Sequence, residues 1–152
     1  MSGSTQANDA SAIRRVMSSY EEALNASNTA AVLPLYTEDG VFMPPFSQSA
    51  VGKAAVRKAY DAVFEAITLN VKFAIAELVL MSPEWAFVRT NSAGTNKVNR
   101  TGAVSPEGNQ ELFIFNKGAD GKWRIARYGF SSTNPPPPTC YDPQEGERRW
   151  PT

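Results

Sequence analysis

The sequence predicts a single α+β domain in which a curved antiparallel sheet wraps around N-terminal helices to give a cone. Two observations indicate this fold class. Apolar residues recur at helical spacing over residues 10–26 and again over residues 53–67, and after residue 68 their spacing changes to two. Helices that precede a run of antiparallel strands are typical of α+β domains. We therefore expect a cone that is closed at one end and open at the other.

Two long helices are predicted. The first spans Ala10 to Ala26, and its apolar residues fall three or four positions apart, at Ile13, Val16, Met17, Tyr20 and Leu24. A short helix over residues 30–36 contains Pro34, and the segment 41–46 is expected to be extended because its proline pair disfavours a helix. The second long helix begins at Lys53 and continues to about Ile67.

Four strands follow, over residues 70–81, 85–95, 109–117 and 122–133. The polar segment 96–108 between the second and third strands is either a hairpin or a loop. Gly118 and Gly121 permit a tight turn before the last strand. We expect residues 1–10 to be a flexible N-terminus, residues 11–134 to be the domain, and residues 135–152 to be a proline-rich tail.

The composition excludes several classes of function. Fifteen basic residues balance fifteen acidic ones, so no net charge favours nucleic acid, and no apolar run approaches the ~20 residues that span a membrane. The absence of histidine and the single cysteine, Cys140, exclude histidine-dependent catalysis, internal disulfides and thiolate zinc sites. Because the N-terminus is polar and lacks the pattern of a secretory signal, we expect a cytoplasmic protein. We also expect it to use no cofactor or metal.

Five segments resemble the nuclear transport factor 2-like superfamily, which includes ketosteroid isomerase, limonene epoxide hydrolase and polyketide-cyclase-like proteins. The segments are "YEEALNASN", "LPLYTEDGVFMPP", "GKAAVRKAY", "AFVRTNSAGT" and "FNKGADGKWRIARYGF". The third and fifth are most similar to small SnoaL-like members. The resemblance covers Ser11 to about Asn134. It implies a pocket at the open end of the cone and a homodimer that forms through the outer face of the sheet.

The resemblance to ketosteroid isomerase places Tyr20 at the position of the oxyanion-donating tyrosine. It places Glu111 at the position of the second oxyanion donor, a protonated aspartic acid that is a known example of an acid kept neutral by an apolar site. Pro44 falls at the position of the catalytic base and cannot transfer a proton. The steroid-isomerase reaction would therefore need a different base.

The resemblance to limonene epoxide hydrolase matches Arg89 with the central arginine of that family. Asn91 and Tyr128 fall at the positions of its two catalytic aspartates, so the acid and the base of epoxide opening are both missing. The polyketide-cyclase branch uses a His-Asp pair, which this chain cannot provide.

Glu111 alternates with Phe113 and Phe115, so a carboxylate shares one strand face with two aromatic rings. The register that the resemblance implies points Arg89 and Glu111 into the cone, where they would form a charge-assisted pair. One interpretation is that this pair only supports the shape of the cone. The other is that Glu111 has a raised pKa and shuttles a proton while Arg89 and Tyr20 polarise an oxygen of the ligand.

We predict that Glu111, Arg89 and Tyr20 are catalytic and that the ligand-binding residues are Asn91, Tyr128, Phe113, Phe115, Phe130 and Phe42. The expected ligand is a hydrophobic, oxygen-bearing small molecule. The expected activity is that of a cofactor-free isomerase or lyase, which transfers a proton on a polyketide- or terpenoid-like carbonyl compound. The alternative is a non-catalytic ligand-binding or homodimeric assembly module of the same fold.

Trp123 and Ile125 alternate away from Tyr128 in the last predicted strand. We expect them on the outer face of the sheet, where an exposed Trp-Ile pair is more typical of a dimer contact than of a ligand site.

Overall fold

The structure is a computed structural model that describes residues 2–134, so the predicted tail and Cys140 lie outside the described residues. The helices are α1 (Ser2–Asn25), α2 (Thr29–Val32), a 3-10 turn (Leu33–Leu35) and α3 (Lys53–Ala66). The strands are β1 (Tyr36–Met43), β2 (Ala50–Val51), β3 (Ile67–Leu80), β4 (Trp85–Val98), β5 (Val104–Lys117) and β6 (Trp123–Ser132). This mixed architecture, with an N-terminal helix and a curved open sheet, confirms the predicted α+β class.

The first helix begins well before the predicted start at Ala10, because α1 is helical from Ser2. The early residues are polar and carry no apolar periodicity from which a helix could be inferred. Contacts from the sheet hold this turn instead, since the Asp9 carboxylate accepts hydrogen bonds from the Trp123 indole N–H at 2.9 Å and from the Lys117 ammonium at 3.0 Å. These contacts stabilise the helix at Asp9, just before its amphipathic part.

The six strands form one sheet in the order β2-β1-β6-β5-β4-β3. β1 runs parallel to β6, and every other neighbouring pair is antiparallel. The polar segment 96–108 is a hairpin, in which β4 and β5 continue to the turn and the Val98 N–H bonds to the Ala103 carbonyl at 2.9 Å. The helices pack against the concave face of the sheet, where the apolar core lies.

A β-bulge in β6 reverses the predicted orientation of Trp123 and Ile125. The register pairs Phe115 with Ile125 but Ile114 with Arg127, which leaves Ala126 as an extra residue. Trp123 and Ile125 are therefore buried on the concave side, and the prediction that they form an exposed outer contact is wrong.

Candidate functional site

A cavity of about 470 Å³ lies between α1, α3 and the concave face of the sheet. Most of its wall is apolar, and its lining residues come from α1, α3 and five strands, with apolar members that include Leu24, Tyr60, Val71, Phe73, Phe42 and Phe130. Pro44 and Pro45, which follow β1, also line it. A volume of this size is in the range of pockets that bind small organic molecules.

Glu111 lines this cavity, and its side chain is buried. The residue is only 3% exposed, so the face that it shares with the two phenylalanines is buried. Oε1 accepts a hydrogen bond from the Thr90 hydroxyl at 2.7 Å, and Oε2 accepts one from the Ser92 hydroxyl at 2.8 Å. The carboxyl group is therefore held by two neutral donors and not by a cation.

The pKa of Glu111 is raised above the ordinary glutamate value, chiefly because burial removes water from the carboxylate. The hydrogen bonds from Thr90 and Ser92 act in the opposite direction, and the nearby charge of Glu107 raises the pKa further. A raised pKa of this origin brings a carboxylic acid closer to the pH range in which it can both give and take a proton.

The predicted pair between Arg89 and Glu111 is wrong. In the β4–β5 register Thr90 lies opposite Glu111, so Arg89 points to the outer face of the sheet. There its Nε donates to Glu77 Oε1 at 2.9 Å, in a pair whose side chains are half exposed. Asn91 lies two residues further along β4 on the same outer face and is also exposed, so neither residue lines the cavity.

Three tyrosine hydroxyl groups form a buried chain beside the cavity. The Tyr60 hydroxyl lies 2.7 Å from that of Tyr20 and 2.6 Å from that of Tyr36. All three side chains are at most 1% exposed, and loss of hydration raises the pKa of each phenol. These hydroxyl groups therefore stay protonated at neutral pH and can act as hydrogen-bond donors.

The predicted aromatic residues divide into those that line the cavity and those beneath its wall. Tyr128, Phe130 and Phe42 line it, as does Tyr20. Phe113 and Phe115 are fully buried and do not line it, contrary to the prediction. Phe113 instead supports the wall, because its ring stacks on Tyr128 with centroids 4.0 Å apart and an angle of 8°.

A second polar group in the cavity was missed from the sequence. Glu107 lies four residues before Glu111 on the same strand face, with Asn109 between them. Its Oε1 accepts from the Asn109 amide at 3.0 Å, and its Oε2 accepts from the Asn96 amide at 2.6 Å. The alternation that identified Glu111 extends back to Glu107, but the predicted strand began at Asn109 and so excluded it.

Thr90 and Ser92 were also missed, although the sequence carried a signal for them. Short side chains occupy the alternate positions Ala86, Val88, Thr90 and Ser92, which is the pattern of an inward strand face. Within residues 2–134 no three metal-binding side chains cluster, and no helix there is long and apolar enough to cross a membrane.

Comparison with known proteins identifies the family of this fold. The SnoaL-like domain family matches residues 16–127. A ketosteroid isomerase-like protein from Erwinia carotovora atroseptica SCRI1043 is 39% identical over 82% of this chain and 96% of its own, with a TM-score of 0.79. A search of curated proteins found no match.

Two more distant structures show the same fold. A putative scytalone dehydratase from Novosphingobium aromaticivorans DSM 12444 is 18% identical over 86% of this chain and 88% of its own, with a TM-score of 0.75. An NTF2-like protein with a cystatin-like fold from Novosphingobium aromaticivorans is 18% identical over 85% and 84% of the two chains, with a TM-score of 0.67. Since the family match covers well over half of the sequence, the chain belongs to the SnoaL-like domain family and has the nuclear transport factor 2-like fold.

Proposed function

We propose that the cavity binds a hydrophobic, oxygen-bearing small molecule and that the protein is a cofactor-free isomerase or lyase. It would transfer a proton on a polyketide- or terpenoid-like carbonyl compound. The observation that carries this proposal is the buried Glu111 carboxyl group, which faces a largely apolar cavity and accepts hydrogen bonds from the neutral hydroxyl groups of Thr90 and Ser92. An acid in such surroundings is suited to proton transfer.

In this proposal Glu111 moves the proton and Tyr20 donates a hydrogen bond to the ligand oxygen. The chain of three hydroxyl groups supports the second role, because three protons serve only two O···O contacts. When Tyr36 donates to Tyr60 and Tyr60 donates to Tyr20, the Tyr20 proton remains available to a ligand or to the neighbouring Tyr128. Phe42 would form part of the apolar wall.

The comparisons support the reaction class. Solved structures with this fold include proteins named as a ketosteroid isomerase-like protein and a putative scytalone dehydratase, and these names denote an isomerase and a lyase. The proposal therefore assigns the chemistry to the carboxyl and phenol groups that this cavity contains.

A non-catalytic binding or assembly module is the second candidate, and two observations favour it. Pro44 lines the cavity where the resemblance to ketosteroid isomerase implies a base, and Arg89 and Asn91 lie outside it. The outer face of the sheet also exposes large apolar side chains, among them Val79, Trp85, Leu112 and Met43. This face would form the homodimer interface in either case.

Ligand-dependent thermal stability tests the proposal, with the wild type, Glu111→Gln and Arg89→Met screened against cyclic ketones and aromatic polyketide analogues. A ligand at ~100 times its Kd should add about 2.7 kcal/mol of stability. We expect the wild type and Arg89→Met to isomerise bound ketones or to exchange the protons next to their carbonyl groups. We expect Glu111→Gln to leave the same ketones unchanged. A protein whose stability rises with its own concentration but ignores every ligand would instead be an assembly module.

A further inference from the structure

We propose that Glu107 makes this cavity selective for apolar ligands that carry a cationic amine. The inference rests on the proposed ligand-binding function and narrows the class of ligand. It assigns Glu107 a role in specificity, distinct from the proton transfer proposed for Glu111.

The charged groups of the cavity have one sign. Its lining contains Glu107 and Glu111, and among the described residues that line it there is no lysine or arginine. The ion pairs in the part of the chain that the structure describes also involve neither of these two acids. An anionic ligand would find no counter-charge in this cavity, whereas a cation would find one that is unused.

Two amide groups fix the orientation of the Glu107 carboxylate but do not neutralise its charge. The amide groups of Asn96 and Asn109 hold its two oxygens at 2.6 and 3.0 Å, so the carboxylate has a fixed orientation. Each donor is neutral and occupies one lone-pair direction, whereas an ionised carboxylate can accept about four hydrogen bonds. The remaining directions can accept N–H donors from an ammonium group, in a charge-assisted bond that is stronger than a neutral one.

The aromatic wall favours the same class of ligand. Phe73 and Phe130 line the cavity together with Tyr20, Tyr60 and Tyr128. The faces of such rings carry partial negative charge and attract cations, most strongly where water is excluded. The apolar part of an amine and its charged end would thus both be favoured.

The strand geometry separates the two ends of the ligand. Glu107 and Glu111 project from the same face of β5, four residues apart, which corresponds to roughly 13 Å between their Cα atoms. A ligand with its oxygen near Glu111 and Tyr20 would place an amine near Glu107 only when the two groups lie at opposite ends of its skeleton. The expected class is therefore a long, flat, apolar carbonyl compound with a terminal amine.

Three probes of one skeleton test this selectivity. The probes are acetylnaphthalenes that carry an aminomethyl, a hydroxymethyl or a carboxylate group at the far end of the ring system, and their Kd values are measured by NMR titration at neutral pH. We expect the aminomethyl probe to bind about tenfold more tightly than the hydroxymethyl probe, and the carboxylate probe to bind most weakly.

Variants of the acids identify the origin of the preference. Glu107→Gln should abolish the advantage of the aminomethyl probe and leave the hydroxymethyl probe within about twofold of its wild-type Kd. Glu84→Gln, in the exposed β3–β4 turn, is the matched control and should retain the preference. Far-ultraviolet circular dichroism and thermal unfolding establish that each variant is folded.

Equal binding of the aminomethyl and hydroxymethyl probes by the wild type would overturn the inference and leave the proposed function standing. A preference that persists in Glu107→Gln would also overturn it. Failure of all three probes to bind would contradict the proposed function as well.

Discussion

Replacing Tyr60 by phenylalanine tests whether the tyrosine chain is a structural unit of the cavity wall. The substitution removes one oxygen and leaves the ring, which stacks on Phe42 with centroids 4.6 Å apart. That oxygen is the middle member of the chain, so both contacts, to Tyr20 at 2.7 Å and to Tyr36 at 2.6 Å, are lost together.

The magnitude follows from the number of bonds and from their burial. Each buried hydrogen bond contributes about 1 kcal/mol net, and a buried hydroxyl group left without a partner costs about 1–3 kcal/mol. Tyr60→Phe should therefore lower the free energy of unfolding by about 3 kcal/mol. Tyr36→Phe removes one terminal hydroxyl group and leaves the Tyr20–Tyr60 bond intact, so its expected cost is about 1 kcal/mol.

Urea unfolding at neutral pH, followed by circular dichroism, measures both variants against the wild type. The midpoint should fall while the slope with urea stays the same, because the ring and its packing are retained. A Tyr60→Phe variant no less stable than Tyr36→Phe would refute the reasoning, since it would mean that the central hydroxyl group supports no more than a terminal one.

Three further outcomes are expected in the same unfolding assay. Asp9→Ala should cost about 2 kcal/mol at neutral pH, because the bonds from Trp123 and Lys117 are lost. The hydrogen bond from Trp123, and after it the interaction with Lys117, lowers the pKa of Asp9 in the folded protein. The difference in stability between the wild type and Asp9→Ala should therefore shrink as pH falls through that depressed pKa, and a difference that stays constant would contradict the role of these bonds. Burial raises the pKa of Glu111, so the stability of the wild type should decrease as pH rises from the pKa of the unfolded chain through that of the folded protein. Glu111→Gln should remove that decrease, and a variant with the pH profile of the wild type would contradict the raised pKa. Gly94→Ala should cost about 3 kcal/mol, because its Cβ would collide with the backbone of β3, and near-wild-type stability would contradict the close approach of the two strands.

The helices and the order of the strands could be predicted because their patterns are local. Ile13, Met17, Tyr20 and Leu24 are all buried, as the helical spacing implies. The ends of the strands were harder to predict from the sequence, since the polar ends of β4 and β5 pair with each other and have no apolar face that would indicate a strand.

The orientation of β6 could not be obtained from simple alternation. Its inward residues are Trp123, Ile125, Tyr128 and Phe130, two pairs that differ in phase by one position. The extra residue at Ala126 restores the inward direction after the shift. A period of two, applied through the bulge, necessarily turns one pair outward.

Arg89 was placed inside by the resemblance, against the pattern of its own strand. Its neighbours Val88 and Thr90 have the small side chains of a buried face, and a charged residue between them is more readily solvated on the outside. The register confirms this alternation, with Arg89 opposite Glu77 and Leu112 on the outer face.

The position of Arg89 decides what Glu111 can do. An inward Arg89 would stabilise the ionised carboxylate and lower its pKa, which would fix Glu111 as a permanent anion over the range in which enzymes work. With the arginine outside, the carboxyl group has only two hydroxyl partners, and a hydroxyl group can reverse its role from donor to acceptor when the acid gains a proton. The ionised carboxylate thus accepts from two hydroxyl groups, and the protonated acid can donate to either hydroxyl oxygen. The shift of one residue in β4 therefore converts a group suited to structural support into one suited to exchange a proton with a bound ligand.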